Sequence, residues 1–116
     1  MNILREYGIG DNKKLRYNIL NAQGGNTISA MIGQRVEVQA YILIEETGWN
    51  TDVVVKTFKV LTTDGEYLGT RSGSFINGLE NYLDCMESNE LTKFEVGQGT
   101  SKAGRHYATF VAVLDE

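Results

Sequence analysis

The stretch Ser101-Lys102-Ala103-Gly104-Arg105-His106-Tyr107 puts two separated cations, a glycine and an aromatic ring directly before the apolar run Ala108–Leu114. Cations attract phosphate oxygens, and a ring beside them offers a face on which an unpaired base stacks. Stacking contributes roughly 1–3 kcal/mol per base, so a few rings count even in an acidic protein. Ser101 and the backbone amides of a glycine-rich loop add hydrogen bonds to phosphate. The chemistry this segment suits is non-covalent: it holds a nucleic-acid backbone while rings meet the bases. A mobile charged turn is the plain alternative. Tyr107 favours binding, because it stands two residues beyond Arg105 and shares its side of a strand.

The other aromatic candidates are Tyr41, Trp49 and Tyr67, and the other phosphate-contact candidates are Lys56, Lys59 and Arg71. Tyr41 lies opposite the inward-facing register of its strand, which exposes its ring for stacking; packing against the N-terminal arm is the alternative. Trp49 sits in a connection flanked by Asn50 and Asp52, where it clamps a base or closes a minor cluster. Lys56 and Lys59 have opposite strand parity, so both reach one groove only through twist or a bulge. Tyr67 and Arg71 share parity and make a more coherent pair. Phe58 shares a face with Val54 and Val60 and reads as core.

Little in the chain points to catalysis. His106 is the single histidine, which excludes a histidine-rich metal site, and no compact acidic motif announces magnesium. Asp52, Asp64 and Glu66 suggest a nuclease site only if their loops converge, and His106 lacks an encoded nucleophile and orienting acid. The Gly-Lys-Ser/Thr arrangement of a triphosphate loop is missing. No enzyme, cofactor or metal is expected. Cys85 is the sole cysteine, so an intramolecular disulfide is impossible; beside Leu83 and Met86 it reads as a small buried hydrophobe.

With 116 residues the chain suits one ordinary domain. No apolar run approaches the ~20 residues needed to cross a bilayer, and no signal-peptide core follows Arg5 and Glu6. A soluble, cytoplasmic protein is expected. The net charge of −4 weighs against coating duplex DNA by bulk attraction but leaves room for a local basic groove. Acids collect at Glu80, Asp84, Glu87 and Glu90, whereas Arg35 and the cations named above lie on or beside candidate strands.

The elements that must position these groups follow from periodicity. Residues 1–34 form an arm with a short strand at Lys14–Leu20, a turn at Asn21–Asn26 and a helical turn at Ile28–Ile32. The arm covers the rest, exchanges with a partner or stays mobile. From Arg35 to Glu45, Val36, Val38, Ala40, Ile42 and Ile44 alternate with Glu37, Gln39, Tyr41, Leu43 and Glu45, a long strand with one core face. Val53–Leu61 is the second strand, and Asp64–Gly65 turns it into a third at Tyr67–Thr70. Phe75, Leu79, Tyr82, Leu83 and Met86 then recur at helical spacing after a Ser72 or Ser74 cap. Strands at Thr92–Val96 and Arg105–Leu114 flank a Gly97–Gly104 loop. Three strands, a helix and two strands over 35–116 is the order of the five-stranded oligonucleotide-binding barrel, or OB-fold, whose helix plugs one end. A generic α+β sheet is the alternative.

Over Ile32–Leu114, with Ser101–Tyr107 as its most recognisable feature, the chain resembles the small single-stranded-DNA-binding proteins of tailed bacteriophages, particularly those of lactococcal phages. The resemblance implies an OB-fold barrel, commonly oligomeric, that protects or organises single strands during replication or recombination in the host cytoplasm. It also implies replication or recombination proteins as partners and strand contacts at Lys102, Arg105 and Tyr107. Unlike bacterial relatives with a long tail and acidic tip, this sequence runs from Ala112-Val113-Leu114 almost directly into Asp115-Glu116. Single-strand binding with little sequence preference is therefore the leading expectation. A protein-interaction or structural module on the same fold is the alternative, motivated by the acidic balance.

Overall fold

The computed structural model describes residues 1–22, 26–47 and 52–114. Its organising strand is β3 (Arg35–Thr47), which first alternates between exposed and buried residues and then is buried throughout Ala40–Ile44. The cause is local. Val38 pairs with Thr62 of β4 (Val54–Thr62) and Ala40 pairs with Leu61, so Gln39 is an extra residue. Such a bulge moves every later side chain to the opposite face. Tyr41 and Leu43 take over the core face begun by Val36 and Val38, while Ala40, Ile42 and Ile44 turn outward into a second apolar cluster. The single core face expected from strict alternation is thus corrected, and Tyr41, expected at the surface, is wholly buried.

The outward cluster is covered by α1 (Lys13–Asn21), where the sequence suggested a short strand. The Asn12 side chain accepts a hydrogen bond from the Leu15 amide at 3.0 Å and so starts a helix. Leu15 and Ile19, four residues apart, then face Ala40, Ile42, Ile44 and Leu61. Arg16 anchors this helix by donating to both carboxylate oxygens of Glu6, at 2.8 and 3.1 Å, and to Gly10 O at 3.0 Å.

The remaining strands are β1 (Asn2–Tyr7), β2 (Asn26–Thr27), β5 (Tyr67–Thr70), β6 (Lys93–Thr100) and β7 (His106–Ala112). They form one open sheet in the order β2-β5-β4-β3-β6-β7, with β1 also on β3. All pairings are antiparallel except β2 with β5. β6 meets β3 at Arg35–Glu37, and β1 occupies the same edge from Tyr41 to Glu45.

A closed barrel requires β7 to meet β5, and among the described residues these two share no ladder. The second edge of β5 instead takes β2, pairing Asn26 with Leu68 and Thr27 with Gly69. Side chains cross the seam: Ser74 Oγ donates to Ala108 O at 3.1 Å, and Ser72 Oγ reaches the same oxygen at 3.5 Å. The 3-10 turn Ile28–Met31, expected as a helical turn, packs against β5, β6 and β7 and buries Ile28 completely.

Helix α2 (Gly73–Met86) starts with Ser72 accepting from the Phe75 amide at 3.4 Å. Phe75, Ile76, Leu79 and Leu83 fill the main core, where the Phe75 ring lies 5.4–5.7 Å from those of Phe58, Phe94 and Phe110. Phe58 is core, as its spacing predicts. Cys85 is exposed rather than buried, because two positions past Leu83 the helix has turned its face to solvent. Among the described residues no helix is long and apolar enough to cross a membrane.

The loop expected at Gly97–Gly104 shrinks to a turn at Ser101–Arg105. Gly97 and Gly99 are strand residues opposite Thr109 and Tyr107. A Cβ on Gly99 would stand 2.2 Å from the Tyr107 ring, so the bare glycine is the seat on which that ring lies.

Candidate nucleic-acid interface

Two groups of expected contact residues assemble on the surface. The first belongs to the outward face of β4 and β5. Phe58 and Val60 point into the core, so Thr57 and Lys59 point away; Leu68 points in, so Tyr67, Gly69 and Arg71 point away. Lys59 stands directly opposite Gly69. With Ile19 of α1 and Ala22, Thr27 and Ser29 of the arm, these residues line a cavity of about 450 Å³. That volume falls within the roughly 300–1,000 Å³ of small-molecule sites.

Lys59 is held in place. Its Nζ donates to Leu20 O at 2.6 Å, satisfying a carbonyl left open at the end of α1. An ammonium carries three protons, so two remain to offer a ligand. Arg71 is exposed, and among the described residues its guanidinium makes no ion pair or hydrogen bond.

The second group sits on the β6–β7 hairpin. Ser101 N donates to Arg105 O at 2.8 Å and Gly104 N to Ser101 O at 2.9 Å, which forms a three-residue turn with Gly104 at φ 81°. Ser101 Oγ accepts from the Arg105 amide at 3.1 Å and keeps its own proton. Lys102 and Arg105 are exposed and, among the described residues, free of ion pairs. Tyr107 lies over Gly99 with 38 % of its surface exposed, enough to present a ring face. His106 Nδ1 is 2.6 Å from Gln98 Nε2 and belongs to the hairpin's own polar contacts.

The Ser72 and Ser74 contacts with Ala108 O bring the groups together. Arg71 precedes Ser72 and Tyr107 precedes Ala108, so one seam carries a residue of each group.

Two expected residues stay apart. Tyr41 is core: its hydroxyl donates to Asn89 O at 2.6 Å, and burial pushes its phenol well above the ordinary range. Lys56 points to the inward side of β4, where its Nζ is 2.7 Å from Glu80 Oε1 of α2. Trp49 lies outside the described residues. Asp84, another acid of the helix, pairs with Arg5. Among the described residues no group of three or more His, Cys, Asp or Glu is placed to hold a metal.

Sequence reasoning missed Thr57, Gly69 and the arm's Ile19, Thr27 and Ser29. The first two were accessible from parity, since they alternate with Phe58 and Leu68. The arm residues were not, because their position depends on α1 and on the parallel β2–β5 pair. No protein-family model matches the chain, and neither the search of curated proteins nor that of solved structures returns a match.

Proposed function

We propose that this protein binds single-stranded DNA with little preference for base identity, as a homo-oligomer that protects or organises strands during phage replication or recombination in the host cytoplasm. The observation that carries this reading is the seam at Ser72, Ser74 and Ala108, which adjoins the Lys59–Tyr67–Arg71 face to the Lys102–Arg105–Tyr107 hairpin. Each group combines cations with a ring, the pairing that tracks a backbone and stacks its bases. The negative whole-protein charge is compatible with this, because Glu80 and Asp84 are engaged by Lys56 and Arg5 rather than by these cations.

An OB-type fold is part of the proposal. Its support is the order of β3, β4, β5, α2, β6 and β7, the sharing of bulged β3 between β4 and β6, and the placement of α2 against the core. In that fold the second and third strands and the loop between the last two carry the ligand. Here those positions are β4, β5 and Ser101–Arg105. The β2 strand and the serine contacts stand where direct closure would occur.

The test is a titration of fluorescent mixed-sequence single-stranded and duplex DNA at two salt concentrations. Preferential, salt-sensitive binding to single strands is expected. Each phosphate contact removed by substituting Arg71, Lys102 or Arg105 with Ala lowers the slope of log K against log salt by about 0.7. Folded protein in its native assembly that binds no single strand at low salt sinks the reading. A protein-interaction module is the second reading, favoured by exposed Ile3 and Leu4 on β1, whose outer edge is unpaired among the described residues. A saturable protein complex formed without DNA, together with absent strand binding, would select it.

A further inference from the structure

The cavity between α1, the arm and the β4–β5 face is built differently from a surface on which bases merely stack. Its cations stand over a floor that Gly69 leaves bare, and the Tyr67 ring forms part of the lining two residues away on the same strand face. Ile19 gives it an apolar wall, and Thr57 and Ser29 supply hydroxyls. A bare phosphate would use Lys59 and Arg71 and leave most of about 450 Å³ and its apolar wall unfilled. A purely apolar ligand would strip water from both cations and return no counter-charge. A nucleotide meets both demands, with an anionic phosphate joined to a flat ring through a polar sugar.

We propose that this cavity binds a single nucleotide unit. The phosphate lies between Lys59 and Arg71, and the base rests against Tyr67 above the Gly69 backbone. Lys59 is prepared for this task, since the Leu20 carbonyl fixes its ammonium and leaves two protons free. The unit is either a free nucleoside monophosphate or one residue of a bound strand drawn out of its stack. Only the second source rests on the DNA-binding reading.

Gly69 allows the cavity to be tested without touching a charge. A Cβ there would meet its nearest neighbour, Phe58 O, at 3.5 Å, an ordinary contact, so the backbone accepts a side chain that occupies the cavity. The experiment measures binding of thymidine monophosphate and of a short oligothymidine to the full chain, its Gly69→Val variant and an Arg105→Ala variant. Melting curves check folding. Weakening of either ligand by tenfold or more in folded Gly69→Val supports the proposal. Loss of monophosphate binding assigns a free-nucleotide site, and loss confined to the oligonucleotide assigns a strand residue. Monophosphate binding that Gly69→Val removes, in a protein that binds no oligonucleotide, keeps the cavity site and fails the DNA-binding reading. The proposal falls if the full chain binds neither ligand or if folded Gly69→Val binds both as tightly as the full chain. It also falls if inorganic phosphate displaces the monophosphate at equal concentration. Should Gly69→Val fail to fold, Arg71→Gln serves instead: among the described residues its exposed side chain has no hydrogen bond or ion pair to lose, and tenfold weakening supports the site whereas unchanged binding overturns it.

Discussion

Lys56 and Lys59 are three residues apart on β4 and are put to opposite uses. Lys56 faces Glu80 across the inward end of the strand, whereas Lys59 reaches the end of α1 and borders the cavity. Lys56→Ala therefore loses at most about 1 kcal/mol of stability, as for other partly exposed ion pairs, and leaves DNA affinity unchanged in an anisotropy titration. Lys59→Met is expected to weaken binding. Tyr41 yields a prediction about pH. Burial raises its phenol above the ordinary value of 10.0, so the folded state holds the proton longer than the unfolded chain. That contribution is fully present below pH 10 and is lost as pH rises toward the folded value, because the unfolded state ionises first. Denaturation between pH 8 and pH 11 should show a steeper decline for the parent than for Tyr41→Phe. The variant itself starts lower by about 1 kcal/mol, since the Asn89 carbonyl loses its donor.

Two element boundaries carry identifiable strain or constraint. Helix α2 ends on Glu87 at φ 53°, a left-handed conformation that costs an L-residue roughly 1–2 kcal/mol and that glycine adopts freely. Glu87→Gly is expected to raise stability by about 1 kcal/mol, visible as a higher Tm. Gly8 is the reverse case. At φ 80°, with a would-be Cβ 2.3 Å from Gln39 O, it carries the chain over the β3 bulge, and Gly8→Ala should cost about 2 kcal/mol or more in urea denaturation. These positions also mark where the sequence was legible. From Val54 to Met86 the reading follows the structure almost element by element, because turn, cap and periodicity are local signals: Asp64–Gly65, Ser72 and the Phe75–Leu79–Leu83 spacing. The bulge at Gln39 has no such signature. Strict alternation across it put Tyr41 on the wrong face, and the covering helix went unrecognised because nine residues with few apolar positions read equally well as a strand. The Lys102–Arg105–Tyr107 hairpin was legible because its residues are neighbours in sequence. The cavity was half legible: parity gave Tyr67 and Arg71, but its other walls come from residues some forty positions earlier.

At the scale of the molecule, β1 is an edge strand among the described residues with Ile3 and Leu4 exposed, and Val53 and Val54 are exposed at the start of β4. Such an edge is open to pairing with a second copy. Sedimentation of the parent is expected to show concentration-dependent assembly, and Leu4→Lys is expected to shift it toward monomer; identical profiles would remove this edge from the homo-oligomer proposal. The arm has a different consequence. Its β1 is held by β3, its β2 by β5, and Ile28 lies in a core formed mostly by later residues. On a ribosome this segment emerges ahead of the strands it pairs with. Strands β1 and β2 must therefore wait, unpaired, while the hairpins behind them form. The cavity then acquires its walls only after Arg71, the last of its lining residues, has been synthesised.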